Sequence, residues 1–249
     1  MNGAALFQND RRTGDNSMTH PTEIPRVRRP RVLDLYCHRG GMAFGYHQAG
    51  FDVVGVDLDP DCATEYPFTF IHGDAIDYLM AHGHEYDLIH GSPPCQKYSP
   101  LNAYNHKTYP DLIAPTRAAM RAVGRPYVIE NVEAARPELI DPTMLCGPMF
   151  GLRMYRHRLF ETSFPVSAPA HPGHGPLCTR NGYLPTDERP FMTITGGRHS
   201  RAWQQAAAEA MGTPWITTIQ GVCEAIPPAY AHWIGTQARA HLTIKAVAA

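Results

Sequence analysis

Several features that would assign this chain to a specialised class are missing from its sequence. It has only six cysteines in 249 residues, spread far apart and without a CxxC pair. This pattern excludes a small disulfide-stapled domain, so we expect reduced thiols. The first thirty residues contain no apolar run typical of a signal peptide or a spanning helix, and we therefore predict a cytoplasmic protein without membrane contact.

A surplus of basic charge is missing as well. The formal net charge is −1 at pH 7, so composition gives no sign of a polyanionic partner, and any such partner needs a local basic patch. The stretch from Arg26 to Arg31 is one candidate. A solvated linker ahead of the first strand is the alternative interpretation, because basic clusters at domain edges are common.

The sequence does contain a sustained alternation of short β-rich runs and helical stretches. This alternation predicts an α/β fold built on a doubly wound, mostly parallel sheet, with ligands bound beyond the carboxyl ends of the strands. The candidate strands are 31–36, 52–57, 69–74, 86–91 and 126–132, and the clearest candidate helices are 42–50, 110–124, 200–212 and 226–242.

Changes in composition divide the chain into four parts. Residues 1–30 form a flexible basic leader and 31–164 form the α/β domain. Residues 165–190 are rich in Pro, His and Gly with little periodicity, which favours a lid or recognition loop within a small irregular region, 165–215. Residues 216–249 form a helical segment that returns to the α/β domain.

Acidic residues at strand ends favour a nucleoside-like ligand. Asp57 ends the second strand, where a carboxylate can accept both hydroxyls of a ribose, and Asp74 can receive an adenine amino group. Gly40 and Gly41 let backbone amides approach such a ligand. The turn DLYCHRGGMAFG lacks the GxGxxG pattern of dinucleotide sites. For any single aspartate, a strand-end turn residue is the alternative.

Cys95 lies in a PPCQ turn just after the fourth strand. A lone cysteine is more often a small buried hydrophobe, and this is our interpretation of the other five. Glu130 ends the neighbouring strand, which places a carboxyl beside the thiol, and the two groups can act on one ring of a substrate. Arg156 and Arg158 alternate as same-face residues of a short strand, with a solvated strand edge as the alternative.

In this order, these segments resemble the DNA (cytosine-5) methyltransferase family, especially its small phage-type members. The matching segments are DLYCHRGG, VGVDLD, Gly73-Asp74, SPPCQ, ENV, RHR and IPPAY, over roughly residues 31–240. The pair PCQ and ENV at this spacing is the specific part. The resemblance implies a Rossmann-like class I methyltransferase fold, S-adenosylmethionine as methyl donor with S-adenosylhomocysteine as product, and a monomer that modifies double-stranded DNA, as in restriction–modification systems.

The resemblance also implies roles for individual residues. Cys95 would attack carbon 6 of a flipped-out cytosine, Glu130 would engage ring nitrogen 3, and Arg156 and Arg158 would stabilise the base and the intermediate. Residues 165–215 would form the target-recognition region. The implied cofactor contacts are Asp34, Tyr36, Gly40, Gly41, Asp57, Leu58, Asp74, Ala75 and Pro93, and the implied substrate contacts are Gln96, Ser99 and Asn131.

Three positions depart from the family pattern. His38 stands where the first glycine of the cofactor loop is usual, Met154 replaces a glutamine, and Glu224 with Ala225 replaces Asn-Ser. Each touches the cofactor side or the grip on the base. An altered cofactor, a group other than methyl, or weak activity are the consequences left open, and sequence drift in a small phage-like enzyme is the favoured cause.

Three alternatives remain beside this main interpretation. A nucleic-acid-binding homologue without catalysis is expected to lose Cys95 or Glu130, and both are present. A transfer-RNA methyltransferase would share the same motifs. His171, His174 and Cys178 have the spacing of metal ligands, but a closed structural site needs four ligands and only three are local. We therefore predict no metal, and a histidine-containing loop near phosphates instead.

Overall fold

The computed structural model describes residues 28–98, 108–175, 177–180 and 182–248. One seven-stranded sheet has the order β3-β2-β1-β4-β5-β7-β6. Strands β1 to β5 are parallel, whereas β7 is antiparallel to both β5 and β6. The strands are β1 (Arg31–Leu35), β2 (Asp52–Asp57), β3 (Thr69–His72), β4 (Leu88–Gly91), β5 (Tyr127–Asn131), β6 (Thr143–Leu145) and β7 (Arg158–Thr162).

Helices cover both faces of this sheet, which confirms the predicted doubly wound, mostly parallel α/β fold. In the described part of the chain they are α1 (Gly41–Gln48), α2 (Ala75–His82), α3 (Ile113–Val123), α4 (Arg201–Met211), α5 (Ile219–Glu224) and α6 (Pro228–Ala248). Short 3₁₀ turns lie at Pro60–Thr64, Gly83–Glu85, Glu133–Glu138 and Gly147–Phe150. Among the described helices, none is both long and apolar enough to cross a bilayer.

Two apolar layers hold the sheet between the helices. On one face, residues of α1, α4 and α6 such as Tyr46, Trp203 and Tyr230 form a continuous buried cluster. On the other face, Leu79 of α2 and Met120 of α3 pack against the alternate strand residues. Because strands β1, β4 and β5 are covered on both sides, their sequences are nearly continuous apolar runs rather than alternating ones.

The C-terminal helix, α6, packs directly on α1. A Cβ atom on Gly45 would lie 2.0 Å from the carbonyl oxygen of Pro228, and one on Gly41 would lie 2.2 Å from that of Ile226. Real side chains do not tolerate such distances, so both positions require glycine. This packing brings the start of α6 next to the turn between β1 and α1.

The described end of the basic leader is tied to the α/β domain. Arg28 forms an ion pair with Asp87 at 3.0 Å, and Arg29 donates hydrogen bonds to the carbonyl oxygens of His47 and Gly50. These two arginines therefore have structural partners. The rest of the predicted leader, residues 1–27, lies outside the described residues.

Candidate active site

The residues predicted from strand ends lie at the carboxyl ends of the parallel strands. Asp34 and Glu130 are each one residue from the end of their strands, β1 and β5, and Asp57 is the last residue of β2. Asp74 caps α2, and Cys95 lies in the loop that follows β4. The charge of Glu130 raises the pKa of both Asp34 and Cys95. Asp34 at the end of β1 and Cys95 after β4 therefore lie in one electrostatic environment.

Glu130 is a buried carboxyl beside a cation. The Nε atom of Arg158 lies 3.1 Å from its Oε1 oxygen, and this oxygen has no hydrogen-bond partner among the described residues. Burial raises the pKa of Glu130, while Arg158 and a hydrogen bond from Ser92 oppose the rise. The acid form, which can donate a hydrogen bond to a base that binds next to it, therefore persists to higher pH than in a free glutamate.

Cys95 is held mainly as a neutral thiol. Burial raises its pKa, the Glu130 charge raises it further, and Arg158 and Arg156 lower it. The thiolate that reacts is therefore a minor species at rest. A neighbouring cation partly compensates for the cost of forming that thiolate inside the protein.

Arg156 ties three parts of the chain together. Its guanidinium donates to the carbonyl oxygens of Ile194 at 3.0 Å and Cys223 at 2.6 Å, and its own carbonyl accepts the Tyr230 hydroxyl at 2.7 Å. Burial lowers the pKa of Arg156 to about 9. These contacts give Arg156 a positioning role, while Arg158 is the arginine that faces Glu130.

A chain of buried polar groups behind Glu130 was not predicted from the sequence. The Tyr46 hydroxyl lies 3.1 Å from Nδ1 of His90, whose Nε2 lies 2.9 Å from the Ser92 hydroxyl, and Ser92 bonds Glu130. Burial lowers the pKa of His90 to about 3, so its ring is neutral. The one available signal was a histidine inside the otherwise apolar strand segment LIHG.

Replacing Ser92 by alanine is expected to lower the rate of group transfer about tenfold, because one hydrogen bond to a charged or acidic group contributes about 1.5 kcal/mol. Since this bond lowers the pKa of Glu130, its loss also moves the end of the acid limb of the pH–rate profile, which lies at that pKa, to higher pH. Single-turnover rates across pH measure both effects. Ser167→Ala, at an exposed serine that is hydrogen-bonded to Gln237, is the control. A pH–rate profile of Ser92→Ala that equals the wild-type profile would contradict a role of the Ser92 hydrogen bond in the reaction.

Asn131 fixes the loop that presents Cys95. Its side-chain amide donates to the carbonyl oxygen of Pro93 at 2.9 Å, and the Ser92 amide donates to Leu35 at 3.2 Å. The predicted substrate contact of Asn131 thus competes with an existing structural bond. The predicted contact of Ser99 lies outside the described residues.

Two predicted cofactor residues at the first strand have partners within the protein. Asp34 accepts a hydrogen bond from the Tyr66 hydroxyl at 3.2 Å, and burial raises the pKa of Asp34 to about 8. The Tyr36 hydroxyl lies 2.8 Å from that of Thr116. Both side chains shape the turn after β1. Whether they also touch a cofactor stays a prediction.

The part of the sheet edge at the end of β2 has the features of a nucleoside site. The Asp57 carboxylate accepts the backbone amides of His38 at 2.9 Å and Asp59 at 3.0 Å, which fixes its orientation. The apolar side chain of Leu58 beside it is 64% exposed, and a Cβ on Gly73 would meet no atom within 4 Å. An oriented carboxylate, an apolar surface and open space are the features that a ribose and an adenine ring require.

The two departures from the family pattern on this side contact each other. Nε2 of His38 lies 2.6 Å from the Glu224 carboxylate, so the side chains that replace a glycine and an asparagine form one ion pair. Burial opposes ionisation of Glu224, but the hydrogen bond from His38 lowers its pKa overall. The backbone of His38 is left-handed, with φ of 47°. The pair joins the turn after β1 to α5.

A double-mutant cycle on His38 and Glu224 is expected to show coupling of about 0.5–1 kcal/mol in the free energy of unfolding, the range for partly exposed ion pairs. His38→Ala and Glu224→Gln should each destabilise the protein, and the double variant should cost less than their sum. Urea unfolding provides the measurement. Coupling should also shrink in high salt; strictly additive effects contradict the pairing.

Cys95 and Gln96 open onto a cavity of about 780 Å³ among the described residues. Its far wall is residues 196–199 together with α5. His199 stacks on the buried Trp203 at 3.6 Å between ring centroids, which fixes that wall. Sequence reasoning missed residues 196–199, although the Gly-Gly-Arg-His order is a turn followed by two groups that can bond a base or a phosphate.

The sheet order and the helices on both faces are those of a class I, Rossmann-like fold. In the solved structures, the methyltransferase EhMeth of Entamoeba histolytica superposes with a TM-score of 0.60 at 10% identity, covering 87% of this chain and 99% of that one. The Dnmt2 methyltransferase of S. pombe gives 0.56 at 13% identity, covering 86% and 99%. At these identities the likeness concerns the fold.

Sequence comparison finds a family that part of the chain resembles. Residues 30–111 match the family model of the C-5 cytosine-specific DNA methylases. The type II methyltransferase M.HgiGI of Herpetosiphon aurantiacus is 36% identical over 80 residues, which is 28% of this chain and 62% of that protein. M.AquIA of Picosynechococcus sp. is 28% identical over 165 residues, 55% of this chain and 66% of that protein.

Residues 30–111 of the chain are thus similar to the C-5 cytosine-specific DNA methylases, the family that its motifs resemble. The aligned regions cover less than two thirds of these relatives, and only 28% of the type II methyltransferase M.XorII of Xanthomonas oryzae, which is 29% identical over 121 residues. The phage-type assignment stays a prediction.

Proposed function

We propose that this protein transfers a methyl group from S-adenosylmethionine to carbon 5 of cytosine in double-stranded DNA. The single observation that carries the proposal is the placement of the Cys95 thiol and the buried Glu130 carboxyl at one sheet edge, beside Arg158 and at the mouth of a cavity. Nucleophile, acid and cation are the three groups that attack on an electron-poor ring requires.

On the cofactor side, the ribose would be held by Asp57 and the adenine by Leu58 and Asp74, with Ala75 and Pro93 as buried backing and the Gly40-Gly41 turn nearby. When bound, S-adenosylmethionine supplies an electrophilic methyl group. Because Asp74 already accepts two backbone amides of α2, its orientation is fixed before any ligand arrives.

On the base side, Cys95 loses its proton and its sulfur adds to carbon 6 of cytosine. The electron pair of the 5,6 double bond moves to carbon 5, and Glu130 donates its proton to ring nitrogen 3, so that the adduct carries no net negative charge. After carbon 5 has gained its methyl group, the carbon 5 proton is lost to water, the Cys95 sulfur leaves as thiolate, and the nitrogen 3 proton returns to the Glu130 carboxylate, which restores the neutral aromatic ring. Arg158 stabilises the anionic carboxylate that Glu130 becomes.

A base inside a duplex must leave the stack to reach Cys95, which costs a few kcal/mol. The cavity next to Cys95 and Gln96 offers the space, and we propose that residues 165–215 recognise the DNA around it. Both Cys95 and Glu130 come from one sheet of one chain, so a monomer suffices.

Transfer of tritium from labelled S-adenosylmethionine tests this function. Wild-type protein is expected to label duplex DNA in preference to transfer RNA, and Cys95→Ser is expected to label neither. Preferential labelling of transfer RNA would make the substrate RNA and keep the chemistry. Labelling that is equal in wild type and Cys95→Ser would overturn the proposed reaction.

A further inference from the structure

His157, which lies between Arg156 and Arg158, belongs to a second polar cluster, separate from Cys95 and Glu130. Cys146, His157, His171 and His174 each direct one ligand-type atom to the same point, and the four atoms lie within 4.8 Å of one another. Cys146 is fully buried and the histidines line its outer side. Three imidazole nitrogens and a thiol sulfur that converge in this way are the donor set of a tetrahedral metal site.

Two of the distances within the cluster are close to the edges of a metal-centred tetrahedron. Bonds of about 2.0–2.1 Å to nitrogen and 2.3 Å to sulfur place neighbouring ligand atoms about 3.3–3.6 Å apart. The Sγ atom of Cys146 lies 3.2 Å from Nε2 of His174, and Nε2 of His157 lies 3.4 Å from Nε2 of His171. These two pairs therefore stand at the separation of neighbouring zinc ligands, and all four atoms lie within 4.8 Å of one another.

Neighbouring groups orient His157 and His174, and a third contact, at His171, changes when a metal binds. Nδ1 of His157 lies 3.0 Å from the Glu133 carboxylate, which holds a proton on Nδ1 and leaves Nε2 as the free donor. Tyr155 stacks on His174 with ring centroids 4.0 Å apart. Nδ1 of His171 accepts the Gly173 amide at 3.0 Å, and coordination through Nε2 requires a proton on that Nδ1, so this contact is replaced on binding.

We propose that Cys146, His157, His171 and His174 bind one zinc ion. A thiolate with three imidazoles is a ligand set that zinc prefers, and binding releases the Cys146 thiol proton to solvent. Four protein ligands leave no open coordination position, so the ion is structural and takes no part in methyl transfer.

The ion would connect three separate segments. Cys146 follows β6, His157 lies between Arg156 and Arg158, and the other two ligands belong to the irregular region after β7. In the described part of that region no helix or strand intervenes before α4. Zinc would thus hold the start of the proposed recognition region against the residues that lead into β7. Cys178, whose thiol lies 3.1 Å from the Thr193 hydroxyl, is outside the site.

Metal analysis of the full-length protein, purified without an affinity tag or chelator, tests the site. The expected result is one zinc per chain in wild type and in Cys178→Ser, and at least tenfold less in Cys146→Ser and in His174→Ala. Chelation by a strong zinc ligand should lower the melting temperature of wild type, and added zinc chloride should restore it.

Cobalt provides a second readout on the wild-type protein, which does not depend on how well a variant folds. Co²⁺ added to chelator-treated wild type should give the visible bands of a tetrahedral site with a sulfur-to-metal band, whereas Cys146→Ser should bind Co²⁺ at least tenfold more weakly and show no sulfur-to-metal band even at excess Co²⁺. Wild-type protein that contains no zinc and binds neither Zn²⁺ nor Co²⁺ at micromolar concentration would overturn the proposal, as would equal metal loss in Cys178→Ser.

Discussion

Replacing Cys95 by serine is expected to abolish methyl transfer, with a loss on the order of 10⁴-fold or more, because the covalent step loses its nucleophile. Burial already raises the pKa of the Cys95 thiol, and a hydroxyl in the same place ionises far less readily. Labelled methyl transfer to duplex DNA measures the loss. Unfolding by urea should be nearly unchanged, since serine has almost the same volume.

Cys223 is the matched control for this substitution. It lines the same cavity and is likewise partly buried, and burial raises its pKa too. Cys223→Ser should keep most of the activity, since the Arg156 contact is to the backbone carbonyl of Cys223. DNA with 5-fluorocytosine should form a covalent complex with wild type and with Cys223→Ser, but not with Cys95→Ser. A complex formed by Cys95→Ser would contradict the assignment.

Replacing Glu130 by glutamine is expected to lower the methyl-transfer rate about 10²–10³-fold. The amide keeps the size of the side chain but cannot give a proton to ring nitrogen 3. Single-turnover rates at saturating DNA measure the change, and binding of DNA should weaken far less than the rate falls. Glu138→Gln, at an exposed glutamate, is the control. A Glu130→Gln rate within threefold of wild type would exclude the acid role.

The pH dependence of the wild type follows from the same two groups. Burial raises the pKa of both Glu130 and Cys95, and the reactive state needs the acid form of Glu130 together with the thiolate of Cys95. Because the thiol has the higher pKa, the rate is expected to rise with pH up to the pKa of Glu130, to stay level between the two pKa values, and to fall above the pKa of Cys95. In Glu130→Gln the alkaline fall should disappear. A persistent fall would point to another group.

Most of the sheet could be predicted because each central strand is a short apolar run with a defined end. The runs 31–36, 52–57 and 126–132 correspond to β1, β2 and β5 within one or two residues at each end. Strand β6 was not predicted, since three residues are too few for a recognisable period. Parallel strands bring their carboxyl ends to one edge of the sheet, where ligands bind. Residues at predicted strand ends could therefore be taken as candidates for the site.

The rest of the site depends on contacts between distant parts of the chain. The His38–Glu224 pair joins the first βα turn to α5, and each residue alone is only a deviation from the family pattern. Local spacing offered Cys178 as a metal ligand, whereas the fold brings Cys146 to His174 instead. Such pairs arise from tertiary packing, which spacing along the sequence does not encode.

The most direct test of the central claim is base-resolution sequencing of DNA from cells without other cytosine methylation that express either wild type or Cys95→Ala. Our account predicts 5-methylcytosine at one recurring sequence in the wild-type cells and none in the Cys95→Ala cells. Folded wild-type protein that leaves no Cys95-dependent mark on cytosine in DNA would contradict it.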